Sequence, residues 1–192
     1  MSQISTAPEP RNTGEPTYQL ERHTEAYDIR AYASYLFAEV TVPGPAESAS
    51  SAGFRLLAAF IFGANKGAQK LAMTAPVTQT PVRLPMTTPV TQTRTDGGFH
   101  VRFVMPSGYT LALLPVPNDP RVTLHEMPAQ RVAVLRYSGR WTKKNYAEHV
   151  SELRAALSKE NLAVRGEPTL ARYNAPYVLP FLRRNEVWLM LA

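Results

Sequence analysis

The chain has 192 residues, 44% of them hydrophobic and 19% charged, with 21 Lys and Arg against 15 Asp and Glu for a formal charge of +6. This length suffices for one substantial core or two small ones, and the basic balance favours an anionic partner of no particular class. No cysteine is present, which excludes disulfides, thiolate metal sites, iron–sulfur clusters, a cysteine nucleophile and cofactor attachment through Cys-x-x-Cys-His.

Residues 1–17 lack a basic region followed by an apolar stretch, so they predict a disordered lead-in rather than a secretory signal. Cytoplasm is then the default location. Seventeen prolines point to interrupted strands and away from an all-helical bundle. Tyr18–Tyr32 and Tyr35–Val42 alternate polar and apolar residues and read as strands, the second stopped by Pro43-Gly44-Pro45. A helix is predicted from a cap at Ser50 or Ser51, through Phe54–Phe62, to a stop at Gly63. Its apolar window is about half a bilayer span and contains Arg55, so no membrane insertion is expected. Gln69–Thr78 and Phe99–Met105 are the next strands.

The second half repeats the order. Val122–Met127 and Arg131–Tyr137 are strands around a turn at Pro128-Ala129. A helix then runs from about Thr142 to Leu157, with Tyr146, Val150, Leu153 and Leu157 on one face and Lys144 and Glu148 paired on the wet side. Thr169–Tyr173 and Glu186–Leu191 close the chain as strands. Neither half is large enough for a good core, so residues 18–192 are expected to form one domain from two pseudo-symmetric halves, about 18–117 and 118–192. Their strands would make one curved sheet or open barrel with both helices against it. A shorter repeat, Met73–Thr80 and Met86–Thr93, suggests a hairpin of proline-containing edge strands.

Three segments could carry chemistry. The first helix is apolar all round from Phe54 to Phe62 except at Arg55, so it is either covered on both sides or offers a face to a ligand or partner. The segment Ala171–Leu189 gathers Arg172, Tyr173, Arg183, Arg184 and Glu186 beside an apolar loop. It fits either a structural Arg–Glu network or recognition of an acidic group on a hydrophobic ligand. The four histidines show no metal-binding spacing, although His23 and His125 hold corresponding early-strand positions in the two halves and are the candidates for a metal axial ligand. No nucleophile elbow, phosphate loop or dinucleotide fingerprint is present. The basic residues form no compact run with interleaved aromatics, so nucleic-acid binding is not expected. Oligomeric state leaves no signature.

Tyr27-Asp-Ile-Arg-Ala-Tyr32, Gly63-Ala-Asn-Lys-Gly67, Lys70-Leu-Ala-Met-Thr-Ala-Pro-Val-Thr78, Arg172-Tyr-Asn-Ala-Pro176 and Arg184-Asn-Glu-Val-Trp-Leu189 together resemble the SOUL haem-binding protein family in its bacterial form. The resemblance runs from about Tyr18 to the C-terminus. It implies an α+β fold, duplicated β-α-β-β halves forming a distorted antiparallel β-barrel flanked by two helices, similar also to the GyrI-like effector-binding fold. It further implies reversible, non-covalent binding of haem or a related tetrapyrrole as the cofactor, against the first helix and near the loop before Arg183-Arg184. Some members place a histidine where this chain has Ala31, so axial ligation from that position is excluded here. Others use basic side chains at positions matching about Ala59 and Val178, for which Arg55, Lys66 or Arg183 are the available substitutes.

Three functions then compete. A non-catalytic tetrapyrrole binder would use Phe54, Leu57, Ala58, Ile61 and Phe62 as a flat apolar face, Val178 beside it, and Arg55, Arg172 or Arg183 for the carboxylates. A GyrI-like small-molecule binder or hydrolase would use Glu186 as acid/base with Tyr173 or Trp188 shaping the pocket, and requires Glu186 to be buried with a raised pKa. An interaction module without ligand requires the first helix to be sealed in the core.

Overall fold

The computed structural model describes residues 14–66 and 82–192. Residues 1–13 of the lead-in, the strand expected at Gln69–Thr78 and the first octapeptide copy, Met73–Thr80, lie outside the described residues. In chain order the first half carries β1 (Tyr18–His23), β2 (Asp28–Tyr32), β3 (Tyr35–Val42), α1 (Ala46–Ile61), β4 (Asn65–Lys66), β5 (Val90–Thr95), β6 (Gly98–Val104) and β7 (Val116–Pro117). The second carries β8 (Thr123–Met127), β9 (Gln130–Tyr137), α2 (Lys143–Lys159), β10 (Val164–Arg172), a single 3-10 turn at Pro180–Leu182, and β11 (Asn185–Leu191).

Among the described residues, nine strands form one antiparallel sheet in the order β1-β2-β9-β11-β10-β5-β6-β3-β8, and β4 pairs with β7 separately. The order interleaves strands from the two parts of the chain. β5 and β10 pair at the centre. β2 leaves the first half to pair with β9, and β8 leaves the second to pair with β3. Each half thus lends a strand to the other, and Tyr27 and Ile29 join the second half's core as Val122 joins the first's. The α+β distorted barrel implied by the family resemblance is the architecture present.

Alternate residues of each strand point to opposite faces. On one face, Ala38, Val40, Val101 and Phe103 pack with Leu57, Phe60 and Ile61 of α1. On the same face of the second half, Ala133, Leu135, Val187 and Leu189 pack with Leu153 and Leu157 of α2. The intervening residues Tyr32, Val132, Val134, Ala171 and Trp188 form a third cluster on the face away from the helices. Each fully buried large apolar side chain in these clusters contributes roughly 1.5–3 kcal/mol.

Among the boundaries that differ from the sequence expectation, β10 starts at Val164, five residues before the expected Thr169. Tyr18–Tyr32 is not one strand but the hairpin β1-β2, because the Thr24 hydroxyl both donates to the Tyr27 carbonyl and accepts from the Tyr27 amide, closing a turn. The first helix starts at Ala46, a turn before the expected serine cap. Pro45 sits extended at the cap position, and Ser48 Oγ donates to the Pro45 carbonyl. Ser50, taken as a cap, is instead a buried helical residue.

Candidate functional site

The first helix is neither sealed nor uniformly exposed. Ala49, Gly53, Leu57, Phe60 and Ile61 face the sheet, and Gly53 lies so close to Val101 that an added Cβ would stand 2.6 Å from its Cγ2. Phe54 and Phe62 remain 40% and 57% exposed, with Arg55 and Ala59 exposed between them. Among the predicted ligand residues, Leu57, Ala58 and Ile61 therefore belong to the core and support the outer face from behind. Phe54, Arg55 and Phe62 belong to the outer face itself. Arg55 makes no ion pair among the described residues.

A chain of cation–aromatic contacts brings the late loop to this helix. Arg172, at the end of β10, donates from Nη1 to Ser50 Oγ at 2.6 Å, and its guanidinium lies 4.9 Å from the Trp141 ring centre. Arg183 lies 4.3 Å from the same ring. Its Nε and Nη2 donate to the carbonyls of Val178 and Pro176, both at 2.7 Å. Trp141 is oriented by its Nε1 donating to Asn185 Oδ1 at 2.7 Å. Two predicted carboxylate holders thus have structural duties. Arg183 spends two of its donors on its own loop. Arg172 is largely withdrawn from water, its buried Nε has no hydrogen-bond partner among the described residues, and desolvation holds its pKa below the ordinary arginine value, opposed by the nearby Tyr137 and Glu47. Val178 is half-buried at the base of the loop, its amide donating to the Ala175 carbonyl.

On the opposite flank of α1 a cavity of about 550 Å³ is lined by Leu56, Ala59 and Phe60 together with Pro117, Asp119 and Arg121. It falls in the size range of ligand sites. Arg121 is committed there to Asp119 through donors at 2.9 and 2.6 Å. Ala59, matched by resemblance to a basic position, lies at its rim. Lys66 is exposed on β4.

Glu186 sits on the sheet face away from both helices and is 0% exposed. Arg30 Nη1 reaches both its oxygens at 3.2 and 3.1 Å, Arg184 donates at 3.0 Å, Tyr173 Oη at 2.7 Å and Trp188 Nε1 at 2.8 Å. Burial alone would raise its pKa, but Arg30 and Arg184, with the Trp188 and Tyr173 hydrogen bonds, outweigh it and hold the carboxyl below its ordinary value. A hydrolase needs the reverse, a raised pKa and a free oxygen. This arrangement argues against Glu186 as acid/base and for the structural Arg–Glu network. Tyr173 is held protonated, its pKa well above the ordinary value through desolvation and the adjoining Glu186.

Neither candidate axial histidine stands beside α1. His23 is on the outer strand β1, bonded to Asp28 at 2.7 Å. His125 is on β8 at the other end of the sheet, its ring 5.5 Å from that of Phe37. Ala31 lies in the β2-β9 ladder opposite Arg131. Among the described residues no group of three His, Asp or Glu is placed to hold a metal ion. Sequence reasoning missed Arg30 and Trp141. Arg30 alternates with Asp28 and Tyr32 along β2, the only hint of a shared face. Trp141 gave no signal, since its partners come from β10, β11 and the late loop.

The family model described as SOUL heme-binding protein matches residues 13–190. Heme-binding protein 1 of Mus musculus is 25% identical over 172 residues, covering 87% of this chain and 85% of that protein. Heme-binding protein 1 of Sus scrofa is 26% identical over 174 residues with the same coverage of 87% and 85%. Among solved structures, the C-terminal domain of EcmrR superposes with a TM-score of 0.62 at 10% identity, over 91% of this chain and 98% of that one. A hydrolase from Listeria innocua superposes with a TM-score of 0.57 at 12% identity, over 90% and 94%. These last two likenesses are of fold alone.

Proposed function

The chain belongs to the SOUL heme-binding protein family, and we propose that it binds haem or a related tetrapyrrole reversibly and without covalent attachment on the outer face of α1. The observation that carries this reading is the helix itself, which keeps Phe54 and Phe62 substantially in water although the sheet beneath is fully covered. A flat macrocycle laid across Phe54, Ala59 and Phe62 would remove that apolar surface from solvent at about 25 cal/mol per Å². Arg55, a cation on this face that makes no ion pair among the described residues, is assigned the ligand carboxylates. Arg183 contributes charge while its fork holds the loop.

The residue set suits a tetrapyrrole held by its faces and its acid groups. Cysteine is absent, and the two candidate axial histidines, His23 and His125, lie on β1 and β8. Iron, when bound within the macrocycle, would supply the visible spectrum and any redox chemistry. The work of this chain's own residues is to shield a flat apolar surface and neutralise its acid groups. The cavity lined by Leu56, Ala59 and Phe60 adjoins the same helix and offers room for substituents that overhang it. Glu186 takes no part.

The test is a hemin titration followed at the Soret band, with Phe54→Arg in parallel. The wild type is expected to saturate at one equivalent in the low micromolar range, and the variant, which puts a cation into the apolar face, to bind at least about tenfold more weakly. Failure of the wild type to saturate, or equal binding by the variant, would remove the reading.

A further inference from the structure

The loop between β10 and β11 leaves more apolar surface in water than α1 can use. Tyr177 is 88% exposed, Phe181 69%, and Leu179 and Leu182 are each more than half exposed. Around the 3-10 turn, at about three residues per turn, Leu179 and Leu182 share a side while Phe181 points about 120° away. A single flat ligand on α1 cannot cover both sides. The loop is nevertheless firmly built. Leu182 N donates to the Leu179 carbonyl, Arg183 clamps the carbonyls of Pro176 and Val178, and Gly139 N donates to the Pro180 carbonyl at 2.9 Å. A rigid display of side chains is what a surface that inserts into another phase requires.

The Gly139–Pro180 bond ties this tip to a second anomaly. α2 begins directly after Gly139, Arg140, Trp141 and the capping Thr142, and its first turn carries Lys143 and Lys144 with no acidic residue. Helix N-termini carry partial positive charge and favour acids there, so two lysines oppose the helix's own electrostatics. Among the described residues their only acidic contact is the exposed Lys144–Glu148 pair at 3.9 Å, which neutralises little. The loop from Asn174 to Arg184 has no acidic residue either. An apolar tip with a ring of uncompensated cations is the pattern of an interfacial anchor for anionic lipid.

We propose that the 177–182 tip, flanked by Arg140, Lys143 and Lys144, docks this protein peripherally on an anionic membrane surface. Tyr177, Leu179, Phe181 and Leu182 enter the interfacial layer while the three cations meet the headgroups. This is adsorption rather than spanning, as no described helix is long and apolar enough to cross a bilayer. The proposal goes beyond tetrapyrrole binding and is tested without any tetrapyrrole, so either reading can fail alone.

The experiment is flotation of the full chain with vesicles of phosphatidylcholine alone or with about 30% phosphatidylglycerol, at low and high salt. At least about tenfold more protein is expected on the anionic vesicles, declining with salt, because each cation near such a surface is worth roughly fivefold. Lys143→Glu with Lys144→Glu should abolish the preference for anionic lipid, and Phe181→Asp with Leu182→Asp should abolish binding. Both pairs are exposed, and unchanged circular dichroism checks the fold. In a separate variant, Phe181→Trp, the added emission should shift blue on anionic vesicles and be quenched by brominated acyl chains. No enrichment on anionic vesicles overturns the proposal, as does binding indifferent to the Phe181 and Leu182 changes. Lysine-dependent binding to a DNA duplex that ignores the Phe181 and Leu182 changes, without lipid binding, would place a nucleic acid there instead.

Discussion

Arg172 on β10 and Ser50 on α1, 122 positions apart, share a 2.6 Å hydrogen bond that joins the end of a second-half strand to the first half's helix. Hydrogen bonds from a charged donor contribute about 1.5–3 kcal/mol, and this one lies largely out of water. Arg172→Met should lower unfolding free energy by about that amount, measured by urea denaturation, and should also loosen Trp141, which loses one of its two guanidinium neighbours. Ser50→Ala should cost less, since it leaves the Trp141 contact intact.

Glu186→Gln keeps the shape of the network but leaves buried Arg30 and half-buried Arg184 against a neutral group. Removing one partner of a buried ion pair costs about 3–5 kcal/mol, so the variant should be severely destabilised in urea while gaining or losing no hydrolytic activity. The same group predicts acid lability. Its folded pKa lies below the ordinary value of 4.5, so the folded state binds fewer protons than the unfolded one. The stability it confers is full above about pH 4.5 and is lost as pH falls through the depressed folded value. Stability measured from pH 7 downward should fall less steeply below that point in Glu186→Gln than in the wild type.

At alkaline pH the sign reverses. Desolvation raises the pKa of Tyr137 to about 12 and of Tyr35 to about 12, and raises Tyr32 and Tyr173 further still. Raised pKa values mean that the folded state holds protons the unfolded state releases. The corresponding stability is present below pH 10 and is lost above it. Absorbance at the tyrosinate band should therefore show a late group of tyrosines, with Tyr32 and Tyr173 ionising only as the fold opens. Early and complete titration of all tyrosines would contradict the burial described.

Gly53 makes an unusual demand on α1. Alanine is ordinarily the better helix former by about 1 kcal/mol, yet at this position a Cβ would meet Val101 atoms at 2.6 and 2.7 Å. Gly53→Ala should push the helix off β6 and destabilise the protein by roughly 1–3 kcal/mol. A raised melting temperature in this variant would mean that helix and sheet are less closely packed than described.

Much of the fold was legible because hydrophobic periodicity reports which face of an element is buried. The helical spacing of Tyr146, Val150, Leu153 and Leu157 placed them on one face of α2, the face that packs on the sheet. The exchange of β2 and β8 between halves was not legible, since alternation fixes a strand's faces but not its neighbour. The site was legible in part for the same reason. Phe54 and Phe62 stood out as apolar residues in excess of one core face. Whether Leu57 lay inside or outside depended on which side of the helix met the sheet. The partners of Glu186 were hidden because Arg30 is 156 positions away, and the fold, not local sequence, brings them together.

The central claim is that α1 holds a tetrapyrrole by its apolar face and acid groups, not through its iron. It is tested most directly by titrating the wild type with hemin and, separately, with the iron-free porphyrin bearing the same carboxylates. Saturation at one equivalent by both, with dissociation constants within about tenfold of each other, is the predicted result, since a lost axial bond would cost more than that. Tight binding of hemin with no measurable binding of the iron-free ring, or saturation by neither, would contradict it.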